Sequence, residues 1–310
     1  MKITILDART LGDDLDLSAL DSLGEVVKFD ITKPHQTQKR IIDSEIIITN
    51  KVIINKEIMQ NSPKLKLICI SATGMNNVDL DYAKEIGIEV KNVAGYSTKS
   101  VVQHTLSLAL YLLGKMNYYN KVVKSGEWSE SGIFTDVSRP FGEIANMKWG
   151  IIGLGAIGQE VAKVATAFGA DIVYYSTSGS NLNQPYERLE LNNLLKECDI
   201  ISIHCPLNDK TNNLINSENM KLLKNGAILL NLGRGGIVNE IDLAKELDTR
   251  EIYAGLDVLE KEPIPRNNPL NSIKNQDRLL ITPHIAWTSI EARVKLLDGI
   301  VNNIEEFIND

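Results

Sequence analysis

WGIIGLGAIGQEVAKVATAF, residues 149–168, joins an apolar run to three glycines spaced as G-x-G-x-x-G and then to a helix-forming stretch. Without its flanks the glycine spacing is a weak signal, because glycines also serve ordinary turns. The flanks decide the reading. Trp149 to Ile152 suits a buried strand and Gln159 to Phe168 has helical spacing, so strand, turn and helix follow in the order a dinucleotide-binding unit requires. Gly153 permits the tight turn, Gly155 lets the backbone approach a pyrophosphate, and Gly158 lets the helix pack closely on the strand. Free N–H groups around Ala156 and Ile157 then face the phosphates, with the positive end of the helix dipole behind them.

The next strand, Ile172 to Tyr175, is where an acid would hold the adenosine ribose 2′-hydroxyl of NAD. It ends instead in Ser176, followed by Thr177, Ser178, Gly179, Ser180 and Asn181. These offer hydroxyls and turn N–H groups, with no carboxylate to repel a 2′-phosphate and no Arg or Lys to attract one. NAD(H) and NADP(H) are both admissible on that pattern.

Outward from the turn, short β-branched runs alternate with longer amphipathic stretches, the signature of parallel α/β sheets. Expected strands are Ile3 to Leu6, Ile46 to Thr49, Leu67 to Ile70, Gly150 to Gly153, Ile172 to Tyr175, Ile200 to His204, Ala227 to Asn231, Tyr253 to Asp257 and Leu279 to Thr282. Thr98 to Met116 is apolar over most of its surface and predicts one long buried helix. Between Lys124 and Asn146 the periodicity fades into Gly, Ser and Pro, which predicts a loop region. Ser289 to Ile308 returns to helical spacing.

The chain has 310 residues, 43% apolar and 24% charged, which is more than one ordinary core needs and suits two domains. From the residues alone a single division near residue 145 is the natural one. A net charge of −7, with acids and bases interspersed and no basic run, argues against nucleic acid as a partner. Cys69, Cys198 and Cys205 form no CxxC pair, so neither a disulfide framework nor a zinc or other metal site is indicated. The N-terminal MKITILD is too short for a signal h-region and no apolar run reaches the ~18 residues of a membrane span, so a soluble cytoplasmic protein is expected.

Ionisable residues recur at the ends of the later strands, where open α/β sheets place ligands. Arg234 lies in NLGRGG, and its planar fork suits bidentate capture of a carboxylate or carbonyl; a surface salt bridge is the plainer alternative. Asp257 ends a strand in AGLDV, where it could meet the nicotinamide carboxamide or simply cap the next loop. Glu262 follows in LEKEP and His284 in TPHIAW. A histidine at a strand terminus with a carboxylate on one ring nitrogen is equipped for general acid and base work. Hydride transfer to a ketone leaves an alkoxide that needs a proton, which His284 with Glu262 supplies, while Arg234 orients the substrate.

With these residues in place, the chain resembles the D-isomer-specific 2-hydroxyacid dehydrogenase family over nearly its whole length. SATGMNNVDL (71–80), NVAGYSTKSVVQHT (92–105), GIIGLGAIG, HCPL, NLGRGGIVN, GLDVLEKEP and TPHIAW occur in the family's order, and seven ordered blocks are far more specific than any one. ATGMNNVD, NVAGYST and TPHIAW are most similar to the glycerate dehydrogenase (hydroxypyruvate reductase) group.

The resemblance implies His284 as acid/base, Glu262 as its partner and Arg234 as the substrate clamp, with backbone N–H groups of Thr73, Gly74 and Met75 on the substrate carboxylate. It implies a cofactor site lined by Gly153, Gly155, Ala156, Ile157, Gly158, Ser176, His204, Pro206, Leu232, Gly233, Arg234, Asp257 and His284. It further implies an α/β fold of two doubly wound parallel-sheet domains. A Rossmann NAD(P)-binding domain, residues 99–284, is inserted in a flavodoxin-like substrate domain, residues 1–98 and 285–310. A homodimer is the implied assembly. Only 26 residues follow His284, room for one helix, whereas phosphoglycerate dehydrogenases often add a regulatory domain.

Reduction of a small 2-keto acid, hydroxypyruvate or glyoxylate, to the D-2-hydroxy acid by NADH or NADPH is therefore expected. A D-lactate or other 2-keto acid dehydrogenase keeps this chemistry and changes the pocket. A non-catalytic NAD(H)-sensing protein needs the glycine turn but not Arg234, Glu262 and His284 together, and a keto acid panel with NADH or NADPH separates it from an enzyme.

Overall fold

The computed structural model describes residues 1–180 and 184–310. It divides into two compact units, Met1–Ser97 with Thr288–Asp310, and Thr98–Trp287. The single division near residue 145 read from the residues alone falls inside the second unit. The reason is packing: the helix Thr98–Leu113 lies on the same sheet as the strands that follow residue 145.

The first unit is built on five strands, β1 (Lys2–Ile5), β2 (Glu25–Lys28), β3 (Ile46–Thr49), β4 (Leu67–Ile70) and β5 (Glu89–Asn92), ordered β2-β1-β3-β4-β5 and all parallel. That is a doubly wound order with its reversal between β1 and β3. Ile46, Ile47, Ile48, Leu67, Ile68 and Ile70 are fully buried, as a strand covered on both faces demands. The helix Ile290–Asn309 packs on β4 and β5, burying Ala292, Leu296, Leu297, Ile300 and Ile304. Its N-terminus is capped by the Ser289 side chain, which accepts from the Ala292 N–H at 3.2 Å.

Among the described residues the second unit holds seven parallel strands, β6 (Lys148–Ile152), β7 (Asp171–Tyr175), β8 (Glu187–Arg188), β9 (Ile200–Ile203), β10 (Ile228–Asn231), β11 (Tyr253–Leu256) and β12 (Leu279–Ile281). Their order is β12-β11-β10-β9-β6-β7-β8, so the winding reverses between β6 and β9. A ligand is expected outside the carboxyl ends of those two strands. One face carries a core around Leu194, Ile201, Leu229 and Leu243, the other a core around Trp149, Val161, Leu108 and Leu230. Trp149 is fully buried, and its Nε1–H donates to the Ser202 hydroxyl at 2.9 Å, so burial leaves no stranded donor.

The expected α/β architecture of two doubly wound parallel sheets is the one observed, with three local corrections. Strands β2, β5 and β8 are absent from the sequence expectation; all three are sheet edges, with sequences EVVK, EVKN and ER that carry little apolar signal. The helix expected from Thr98 to Met116 ends at Leu113. Lys115 takes a left-handed φ of 53°, and a second helix runs Met116–Ser125. Glycine at 114 interrupts the helical run, and the chain turns there. Within the expected loop after Lys124 a short helix forms at Glu127–Glu130.

Candidate functional site

The glycine turn sits at the carboxyl end of β6, beside the loop that leaves β9. Gly153 has φ 93°, and a Cβ there would come within 2.7 Å of the Cys205 backbone nitrogen, so only glycine allows both the turn and the approach of the two strands. A Cβ on Gly158 would overlap the Gly153 carbonyl oxygen and lie 3.1 Å from Ile151 Cγ2, which fixes how closely the helix sits on the strand. A Cβ on Gly155 would meet nothing within 4 Å; the space above it is open. The helix begins at Ala156, three residues before the expected Gln159, so Ala156 and Ile157 occupy its first turn. Their N–H groups have no intrahelical acceptor, and among the described residues no side chain caps them.

A cavity of about 510 Å³ opens at this point, lined by Gly153, Gly155, Ser176, His204 and Pro206 together with Thr177, Ser178, Asp209 and Lys210. Ser176 is buried and its hydroxyl accepts from the Gly179 N–H at 3.1 Å, which leaves the hydroxyl proton to donate elsewhere. Ser178 lies on the same wall. Asn181, the last residue of the hydroxyl-rich loop read from the sequence, lies outside the described residues. His204 is buried deeply enough to push its pKa down to about 3, and neither ring nitrogen has a partner among the described residues. Its ring is neutral and contributes surface rather than charge. Open space over Gly155, unpaired first-turn N–H groups and a cavity of small-ligand size fit the pyrophosphate and adenosine of a dinucleotide.

Further along the carboxyl edge, Asn231 braces the segment Leu232–Arg234. Its side-chain oxygen accepts from the Gly233 N–H at 3.1 Å, and its amide nitrogen donates to the Arg234 carbonyl at 2.9 Å. Arg234 donates through Nη1 to the Gly233 carbonyl at 2.8 Å, and the rest of its fork has no described partner. Gly235 packs its backbone directly against the Leu259 carbonyl, where any side chain would collide. Asn231 carries no chemistry and was missed in the sequence; a buried polar residue at a strand end is the signal that marks it.

His284 and Glu262 meet. His284 Nδ1 lies 2.7 Å from Glu262 Oε2, while Glu262 Oε1 accepts from the Leu259 N–H at 3.0 Å. His284 holds a left-handed φ of 55°, a conformation that costs of order 1–3 kcal/mol for a non-glycine residue and persists only where the surroundings enforce it. Those surroundings are visible. The His284 N–H donates to the Thr282 carbonyl at 2.9 Å, and the N–H groups of Ile285 and Ala286 donate to Asp257 at 2.8 and 2.9 Å. Asp257 also accepts from the Thr282 hydroxyl at 2.6 Å. Its carboxylate, only 2% exposed, accepts from the loop that presents His284, one strand further along the chain than the next loop considered in the sequence.

In the first unit, Thr73, Gly74 and Met75 follow β4. The Asn92 side chain donates to the Thr73 carbonyl at 2.6 Å and the Thr73 hydroxyl donates to the Val93 carbonyl at 3.2 Å, pinning the loop. Among the described residues nothing accepts from the N–H groups of Thr73, Gly74 or Met75. Three consecutive free donors suit an anion such as a carboxylate.

Comparison with known proteins adds to this geometry. Residues 106–286 match the family described as D-isomer specific 2-hydroxyacid dehydrogenase, NAD binding domain. A hydroxypyruvate reductase of Blautia hydrogenotrophica is 38% identical over 99% of this chain and 97% of its own length. A glycerate dehydrogenase of Methylorubrum extorquens is 34% identical over 99% and 96%. Among solved structures, an acyclic imino acid reductase in complex with NADPH and D-Arg superimposes with a TM-score of 0.86 at 27% identity, covering 100% of this chain and 97% of that one.

Proposed function

The chain belongs to the D-isomer-specific 2-hydroxyacid dehydrogenase family, and we propose that within it this protein reduces hydroxypyruvate or glyoxylate to the corresponding D-2-hydroxy acid with NADH or NADPH. The observation that carries the reading is the 2.7 Å contact between His284 and Glu262 on a loop anchored by Asp257. Support for the substrate group comes from the names of the relatives, hydroxypyruvate reductase and glycerate dehydrogenase, at full-length coverage.

Each residue's task follows from its chemistry. A carboxylate only accepts hydrogen bonds, so the His284 proton facing Glu262 belongs on Nδ1, and Nε2 is the atom that exchanges a proton with substrate. Glu262, holding Nδ1, fixes the ring from which Nε2 delivers a proton to the keto oxygen. A reduced dinucleotide held by its pyrophosphate at the glycine turn would supply the hydride. Arg234, most of whose fork has no partner among the described residues, orients the keto acid, and the N–H groups of Thr73, Gly74 and Met75 take the carboxylate. Ala156 and Ile157 bind the pyrophosphate through their backbone, while Ser176, His204, Pro206, Leu232 and Gly233 line the cofactor.

The assembly is a homodimer. Ile133, Phe134, Val137 and Phe141 are 62%, 90%, 78% and 59% exposed on one segment of the second unit, and a second copy of the chain is the partner that covers them. No helix among the described residues is long and apolar enough to cross a membrane. Three buried free thiols, Cys69, Cys198 and Cys205, suit a reducing, cytoplasmic setting.

The test is kcat/KM for hydroxypyruvate, glyoxylate, pyruvate and 2-ketoisocaproate, each with NADH and NADPH. Highest values with the first two support the proposal, and preference for pyruvate or 2-ketoisocaproate overturns it. D-Lactate formation from pyruvate is the competing outcome on the same fold.

A further inference from the structure

We propose that His104 is a positioning residue for the reaction, setting through Thr282 and Asp257 where the His284 ring stands. His104 lies on the helix Thr98–Leu113, and its side chain is 19% exposed. Its Nε2 is 2.9 Å from the Thr282 hydroxyl oxygen and 3.5 Å from Asp257 Oδ1. The Thr282 hydroxyl in turn lies 2.6 Å from the same Asp257 oxygen.

The directions of these bonds are forced. Ionised Asp257 can only accept, so the single Thr282 hydroxyl proton goes to it, and Thr282 must then accept from His104. The tautomer of His104 is therefore the one with Nε2 protonated. A relay of two donors, His104 Nε2–H to Thr282 and Thr282 O–H to Asp257, ends on the carboxylate that receives the Ile285 and Ala286 N–H groups. The backbone of His284 hangs from the carbonyl of Thr282 itself. On the far side, the Ser100 hydroxyl, one turn back on the same helix as His104, donates to the Ala286 carbonyl at 2.6 Å.

One helix thus grips the His284 loop at both ends, through His104 at Thr282 and Ser100 at Ala286. His284 needs that grip because its left-handed backbone is not the conformation a free histidine adopts. Loosening it lets the ring swing away from the line of proton transfer, and misplacement of ~1 Å costs ~100-fold in rate. His104 touches neither substrate nor cofactor in this account; it acts through Thr282.

The inference rests on His284 being the acid of the proposed reduction, and the experiment separates the two. Turnover of the keto acid that the wild-type protein reduces best is measured for His104→Phe, His104→Gln, Thr282→Val and Thr282→Ser. The solvent isotope effect on kcat and the cofactor Kd by fluorescence are measured on the same samples. Gln carries an N–H donor at the place of His Nε2, and Ser retains the hydroxyl. Expected are a ~10–100-fold lower kcat for H104F and T282V, KM and cofactor Kd within about 3-fold of wild type, and a larger solvent isotope effect as proton delivery becomes limiting. H104Q and T282S should recover most of the loss. Wild-type kcat in H104F, equal losses in H104F and H104Q, or a loss that follows cofactor Kd overturns the positioning role. A wild-type protein that reduces no keto acid overturns the functional reading instead.

Discussion

Gly155 and Gly158 stand three residues apart in one turn, and replacing each by alanine should separate cofactor binding from folding. On Gly158 the new methyl would overlap the Gly153 carbonyl oxygen and press on Ile151 Cγ2 at 3.1 Å. The helix start must then back off by about half an ångström, an overpacking worth roughly 1–3 kcal/mol. For a unit of this size that lowers Tm by roughly 2–12 °C. The same displacement carries the Ala156 and Ile157 N–H groups off the pyrophosphate, and one weakened charge-assisted hydrogen bond of ~1.5–3 kcal/mol raises cofactor Kd ~10–100-fold. On Gly155 the methyl meets nothing in the protein within 4 Å, so Tm should hold. It projects into the open space proposed for the pyrophosphate, so Kd should rise at least as much. Thermal unfolding followed by intrinsic fluorescence gives Tm, and titration with NADH and NADPH gives Kd. A G155A protein that binds both cofactors like wild type would refute the assignment of the turn; one that melts early without losing affinity would refute the packing argument.

Three further outcomes follow from named contacts. Ser176→Asp places a carboxylate at the buried end of β7 and should lower the NADPH-to-NADH ratio of kcat/KM by ~10-fold or more; an unchanged ratio would mean the 2′-position is read elsewhere. Burial pushes the Cys69 and Cys198 thiols up to about 12 and Cys205 up to about 11. At pH 8 less than ~0.1% of each is thiolate, so a disulfide reagent should titrate no thiol quickly in the native protein and three after unfolding. A fast native thiol contradicts that. Phe134→Glu, at the most exposed apolar side chain of its segment, should convert the proposed dimer to a monomer in light scattering, and a wild-type mass for the variant removes this surface from the proposed interface.

What the sequence yields and what it withholds divide along physical lines. Buried strands announce themselves, because residues such as Ile46 to Ile48, or Ile200, Ile201 and Ile203, must be apolar on both faces. Edge strands β2, β5 and β8 do not, since half of each faces water and its residues read as loop. The helix starts at Ala156, ahead of the sequence expectation, because the motif's glycines depress helical propensity while the turn's geometry begins the helix among them. Arg234, Glu262 and His284 are proposed for the chemistry from residue type and place in the sequence alone. The 2.7 Å meeting of His284 with Glu262 needed the fold, for 22 residues of chain separate them.

Supporting residues were the least legible. Asn231, Thr282 and His104 hold the loops through hydrogen bonds to partners distant in sequence, and no local pattern marks them. For Asp257 the sequence leaves two roles open, and its buried carboxylate accepts three hydrogen bonds from the His284 loop.

The central claim is that His284, held by Glu262, delivers the proton that completes reduction of a 2-keto acid. Steady-state turnover of hydroxypyruvate by His284→Ala, against wild type and at saturating cofactor, tests it most directly. The account predicts a loss of roughly 100-fold or more in kcat with Tm retained. Turnover within about 3-fold of wild type would contradict it.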